Sequence, residues 1–86
     1  MLTRKITNDK FVLSKEVLIE RRIDMLLKLK AKRVEKGMTQ KEMADKIGIA
    51  SATYNHKENG IAYFSFNEIL KILDILECKF EDIFLQ

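Results

Sequence analysis

Two stretches of this chain carry the pattern Ser/Thr-x-x-Glu immediately ahead of an apolar run with helical spacing: Thr39-Gln40-Lys41-Glu42 and Ser65-Phe66-Asn67-Glu68. In such a capping box the hydroxyl accepts from the third helical N–H. The glutamate then reaches back to the N–H of the capping residue, so each box marks a helix start. The three glycines mark the stops. Gly37 follows a long periodic segment, Gly48 interrupts a short one, and Asn59-Gly60 closes the next. Gly37 and Asn59-Gly60 are places where a left-handed residue ends a helix, and Gly48 supplies the backbone angles of a tight turn. With no proline in the chain and plentiful Leu, Ile, Lys and Glu, the reading is a series of short helices joined by tight turns.

The elements follow from the spacing. Ser14 can cap a first helix in which Val17, Leu18, Ile23, Leu26, Leu27 and Val34 recur at threes and fours. A second helix, Gln40–Ile47, turns Met43, Ala44 and Ile47 inward, and a third spans about Ser51–Glu58. After the loop Ile61-Ala62-Tyr63-Phe64, Ile69, Leu70, Ile72, Leu73 and Leu76 form the wide apolar stripe of a fourth. Glu81–Leu85 reads as a last helical turn, with Phe80, Ile83 and Phe84 closing the core. The fold class is therefore all-α, a compact five-helix domain. Its 86 residues hold one core and no large enclosed substrate cavity. Leu2–Thr7 and Lys10–Leu13 flank Asn8-Asp9 and are open to two readings, a β-hairpin or a basic arm. The division is an N-terminal extension over residues 1–20 (arm, hairpin or start of the first helix) and a domain over 21–86.

Several function classes fall away. The one cysteine, Cys78, excludes an internal disulfide and a cysteine metal cage, which suits a reducing cytoplasm, and reads as a small buried hydrophobe. His56 is the single histidine and lacks a second ligand or a carboxylate pair. Met25, Met38 and Met43 are core filling. No Gly-rich phosphate loop, nucleophile–base pair or metal spacing is present, so the chain reads as no enzyme, with no cofactor, metal or small-molecule substrate. No apolar run approaches the roughly 18–20 residues that span a bilayer, and there is no signal-peptide core, so no membrane role is expected. Charge is unevenly distributed. Residues 1–36 carry eleven Lys/Arg against five acids, whereas residues 37–86 carry five lysines against eight acids. A basic end that meets a polyanion, or simply a wet helical face, accounts for this.

The stretch from Thr39 to Gly60 carries the functional signal. Two helices joined by so short a turn must cross closely, which the small Ala44 permits and the Gly48 turn requires. One face of the second is left exposed, and a helix about 10–12 Å across fits a B-DNA major groove about 12 Å wide. The run Leu29-Lys30-Ala31-Lys32-Arg33-Val34-Glu35-Lys36-Gly37-Met38-Thr39-Gln40-Lys41-Glu42-Met43-Ala44, then Gly48-Ile49, Tyr54-Asn55 and Glu58-Asn59-Gly60, resembles the Cro/repressor-type (xenobiotic-response-element) helix-turn-helix family. The resemblance is greatest to small regulators of phages and integrated elements of Gram-positive bacteria. It covers roughly residues 26–86, including Phe80-Glu81-Asp82-Ile83-Phe84, and its motifs are specific as a set.

That resemblance implies a lambda-repressor-like DNA-binding domain. It implies a sequence-specific regulator, repressor-like, that binds double-stranded DNA as a homodimer on an inverted repeat. Base contacts are expected from Ser51, Ala52, Asn55 and His56. Asn55 can pair with adenine N6/N7, serine can take either polarity, and Ala52 can touch a thymine methyl. Phosphate contacts are expected from Gln40, Thr53, Lys57 and Asn59, with the Gln40 backbone N–H at a positive helix end. Arg33 and Glu58 are expected to form an inward structural salt bridge, and Tyr54 to point inward.

Two departures from the family pattern matter. Lys57 occupies a position that is often large and apolar, where its stem can cover core while the ammonium reaches phosphate. The loop after Gly60 is apolar where relatives carry Lys or Arg. Ile61, Tyr63 and Phe64 there either contribute to a two-fold contact or fold onto their own core. The acidic C-terminal half and this loop suit an alternative, an antitoxin-like protein-interaction module built on the same fold. A basic arm and helix binding DNA without sequence preference is a third reading.

Overall fold

The computed structural model describes residues 14–84, and the hairpin or arm considered for residues 1–13 lies outside the described residues. The order of elements is α1 (Lys15–Glu35), α2 (Gln40–Ile47), α3 (Ser51–Glu58), α4 (Phe66–Leu76) and α5 (Phe80–Phe84). None of these helices is long and apolar enough to cross a membrane. The first helix occupies residues 15–20 as well, so that part of the extension is its beginning.

Each boundary has a local cause. The Ser14 hydroxyl accepts from the Val17 N–H and starts α1. At the other end Gly37, with φ +74°, lets the Gly37 N–H reach the Val34 carbonyl and the Met38 N–H reach Arg33. Both capping boxes form, Thr39 with Glu42 and Ser65 with Glu68. The end of α3 repeats the device used after α1, with Gly60 N–H on the Lys57 carbonyl and Ile61 N–H on His56. The stop after α4 uses no glycine. Glu77 itself takes φ 54°, and its carboxylate holds Lys36 Nζ at 2.8 Å, joining the ends of α4 and α1.

Leu29, Met43, Ala44, Ile47, Tyr54, Ile72, Leu76 and Ile83 form the core. Ala44 and Tyr54 are wholly buried where α2 and α3 cross. Burial of this apolar surface, worth roughly 1.5–3 kcal/mol for a large side chain, is the main force holding the helices together. Two expectations about the core need correction. Phe80 is 44% exposed at the start of α5, so the fully buried closing residue is Ile83, and nothing is described of the Phe84 side chain. Leu70 faces out of the α4 stripe. Of the apolar residues spaced along α1, Leu18, Ile23, Leu27 and Val34 are exposed, and the inward row is Leu26, Leu29 and Arg33. The apolar residues of α1 run round more of the helix than the other four helices cover.

Candidate nucleic-acid interface

Between α2 and α3 the chain turns through Gly48, at φ +85°, with the Gly48 and Ile49 N–H groups both on the Ala44 carbonyl. This turn sets α3 across α2 with Tyr54 and Glu58 inward and Ser51, Ala52, Thr53 and His56 exposed. Asn55 is half-buried and Asn59 exposed. No side chain caps the start of α3, because Ala50 stands at the capping position. Its first-turn N–H groups therefore remain open to an outside acceptor.

Beneath the exposed row lies a connected polar network centred on Glu58, which is only 4% exposed. Arg33 donates from Nε to Oε2 at 2.8 Å and from Nη2 to Oε1 at 3.1 Å, and its Nη1 donates to the Met38 carbonyl. The Tyr54 hydroxyl donates to Oε2 at 2.7 Å and Gln40 Nε2 to Oε1 at 2.8 Å. Thus the buried carboxylate is met by one full cation and two neutral donors, the arrangement in which a buried charge is tolerable. Burial alone would raise the Glu58 carboxyl, but the hydrogen bonds from Arg33, Tyr54 and Gln40 outweigh it and hold it below the ordinary carboxylate value. Burial, reinforced by the bond to Glu58, pushes the Tyr54 phenol upward and keeps it neutral.

The network continues to the surface. Asn55 Nδ2 donates to Gln40 Oε1 at 2.6 Å, and Asn59 Nδ2 donates to Asn55 Oδ1 at 2.9 Å. One chain of bonds therefore runs from Glu58 through Gln40 and Asn55 to Asn59. Each amide has a further donor to give, since a primary amide carries two N–H groups. Gln40 also presents its backbone N–H at the first position of α2. Lys57 is placed differently. Its ammonium lies between both oxygens of Glu68, at 2.8 and 2.9 Å, and the pair is mostly shielded from water. Any phosphate contact from Lys57 has to compete with that carboxylate. The Glu68 carboxyl is raised by burial, but the Lys57 bond and the Ser65 backbone N–H bring it below its ordinary value.

The loop after α3 divides. Phe64 folds against the core, its ring 5.7 Å from that of Tyr54, while Ile61 and Tyr63 stand out in solvent. Sequence reasoning missed the residue that shapes this loop. Arg22 donates to the Gly60 carbonyl at 3.1 Å and to Ala62 at 2.9 Å, and its guanidinium carbon lies 4.1 Å over the Tyr63 ring. A signal existed. Positions 22, 26, 29 and 33 share one face of α1 by helical spacing, with an arginine at each end of two buried leucines.

No curated protein and no solved structure gives a match to this chain. The family model of helix-turn-helix domains (HTH_3) matches residues 29–83, from the buried part of α1 to the last core residue of α5. That span holds the capped α2, the glycine turn, the exposed α3 and the network beneath it. The chain belongs to the Cro/repressor-type helix-turn-helix family of DNA-binding domains.

Proposed function

We propose that this protein is a sequence-specific transcriptional regulator, repressor-like, that lays α3 in the DNA major groove and acts as a homodimer on an inverted repeat. The observation that supports this most is the exposed row Ser51, Ala52, Thr53 and His56, standing on a network that fixes α3 against α1 and α2. Preorganised side chains of this kind read base edges without first being ordered. Ser51, Ala52, Asn55 and His56 face the bases in this reading. Gln40, Thr53 and Asn59 take phosphates, with Lys57 joining them only by leaving Glu68. Arg33 and Glu58 are the platform. A dimer sets two recognition helices about 34 Å apart, one turn of DNA.

Selection of bound duplexes from a random pool, followed by titration at several salt concentrations, tests the reading. Wild type should return an inverted repeat and lose affinity steeply as salt rises. Asn55→Ala should relax preference at one base position at a cost of about 1–3 kcal/mol, and Gln40→Ala should weaken all sequences alike. A pool with no enriched motif, or equal losses from both variants on every sequence, overturns it. The exposed apolar residues of α1, with Ile61 and Tyr63, favour a second reading as an antitoxin-like protein-interaction module. Absence of any salt-dependent duplex binding would select that one.

A further inference from the structure

The exposed apolar residues of α1 are not scattered. Positions 16, 20, 23, 27, 30 and 34 advance in alternating steps of four and three, the spacing that keeps one seam of a helix against a second helix. In this chain they read Glu16, Glu20, Ile23, Leu27, Lys30 and Val34. All are exposed, and Ile23, Leu27 and Val34 each leave more than half their surface in water. Ile19 borders the same seam. A groove beside it is lined by Ile19, Ile23, Leu27, Lys30, Asn59 and Gly60, so the seam reaches the end of the recognition helix.

We propose that this seam binds the same seam of a second copy, antiparallel, about a two-fold axis passing near Met25. The charge pattern selects both partner and direction. About that axis Ile23 faces Leu27 of the partner subunit, Glu20 faces Lys30 of the partner subunit and, at the rim, Glu16 faces Val34 of the partner subunit, each contact made twice. A parallel pair would set Glu20 on its own copy and Lys30 on its own copy, with like charges opposed. Neither Glu20 nor Lys30 forms a salt bridge with another described residue, so both charges are available across the axis. By contrast, Asp24 and Lys28, which lie off the seam, satisfy each other at 3.0 Å. A two-fold contact is self-complementary by necessity, and a seam with Glu20 on one side of the apolar pair Ile23 and Leu27 and Lys30 on the other meets that requirement. Arg22 adds a fixed edge by clamping the Gly60–Tyr63 loop alongside. The proposal deepens the dimeric DNA-binding reading, on which it rests for the role of the dimer, by naming the surface that makes the dimer.

Sedimentation of the full chain without DNA tests the seam apart from the DNA reading. Wild type should sediment as a dimer at micromolar concentration, and Ile23→Glu should be monomeric with unchanged helix content. Glu20→Lys and Lys30→Glu should each weaken association by about tenfold, through two opposed like-charge contacts per dimer. An equimolar mixture of these two single variants should associate as wild type does, because every contact across the axis is again Lys with Glu. The double variant in one chain should recover likewise. A monomeric wild type, as would follow if residues 1–13 or an unrelated protein cover the face, overturns the proposal. So does a mixture no tighter than its components. Salt-dependent duplex binding persisting in either case would leave the DNA-binding reading standing.

Discussion

The two ends of α1 carry the same kinds of residue and meet opposite fates. Toward the C-terminus Leu29 is 3% exposed and Arg33 is bound to the buried Glu58. Toward the N-terminus Leu18, Ile19 and Ile23 lie in solvent, and Arg22 holds only loop carbonyls and an aromatic face. Helical periodicity is equally good in both halves. What separates them is whether other elements arrive to cover the helix, and α3 and α5 do so only at one end. One face of the C-terminal half is thus part of the machinery that fixes the recognition helix, whereas the N-terminal half, and the opposite face through Leu27 and Val34, has apolar surface left over for another molecule.

The largest expected effect lies in the buried half. Removing Glu58 by Glu58→Ala strands the Arg33 guanidinium and leaves Tyr54 and Gln40 without their acceptor, so stability should fall by about 3–5 kcal/mol. Denaturant unfolding measures it, and a loss below 1 kcal/mol would show that water enters the network. Acid tests the same group. The folded Glu58 carboxyl is lowered, so its contribution is complete above the unfolded glutamate value of about 4.3. It drains away as pH falls through the folded value. Unfolding free energy should therefore hold level from neutral pH down to about 4.3 and decline as acid takes the pH lower. Part of that slope should vanish in Glu58→Gln.

Leucines two positions apart give the most direct comparison within α1. Leu29→Ala should cost about 2–5 kcal/mol, since it opens a cavity in the core. Leu27, 60% exposed, should cost the isolated subunit less than about 0.5 kcal/mol as Leu27→Ala. If the two variants unfolded alike at concentrations where the chain is monomeric, the assignment of Leu29 to the core face of α1 and Leu27 to its open face would be wrong. Leu27→Ala should instead weaken self-association, a property to which Leu29 contributes nothing directly.

Much of this architecture is legible in the residues because its causes are local. Both capping boxes and the glycine stops act over three to five residues, whereas the inward turn of Tyr54 is legible only through the family resemblance. The unreadable parts depend on groups far apart in the chain. Glu77 ends α4 in a left-handed conformation with no glycine to announce it, beside a lysine from the end of α1. Lys57 finds Glu68 only because the α4 cap is folded back toward α3. At the candidate interface, the outward placement of Ser51, Ala52, Thr53 and His56 is what the family resemblance implies, and these residues are exposed. The linking of Gln40, Asn55 and Asn59 into one chain of bonds is not legible in this way, because it requires the crossing geometry of α2 and α3.

The smallest effect belongs to the arginine at the open end. Arg22→Ala removes two hydrogen bonds to carbonyls and a stacking contact, all partly in water, and leaves no buried charge behind. The expected loss is about 1–2 kcal/mol, well below that of Arg33→Ala, which abandons Glu58 in the interior. The more telling readout is local. The Gly60 and Ala62 carbonyls lose their tie to α1, so amide hydrogen exchange should quicken at Ile61–Phe64 while the α2–α3 core stays protected. Exchange quickening across α3 as well would mean that both ends of α1 support the recognition helix, and the contrast between its two arginines would be one of degree alone.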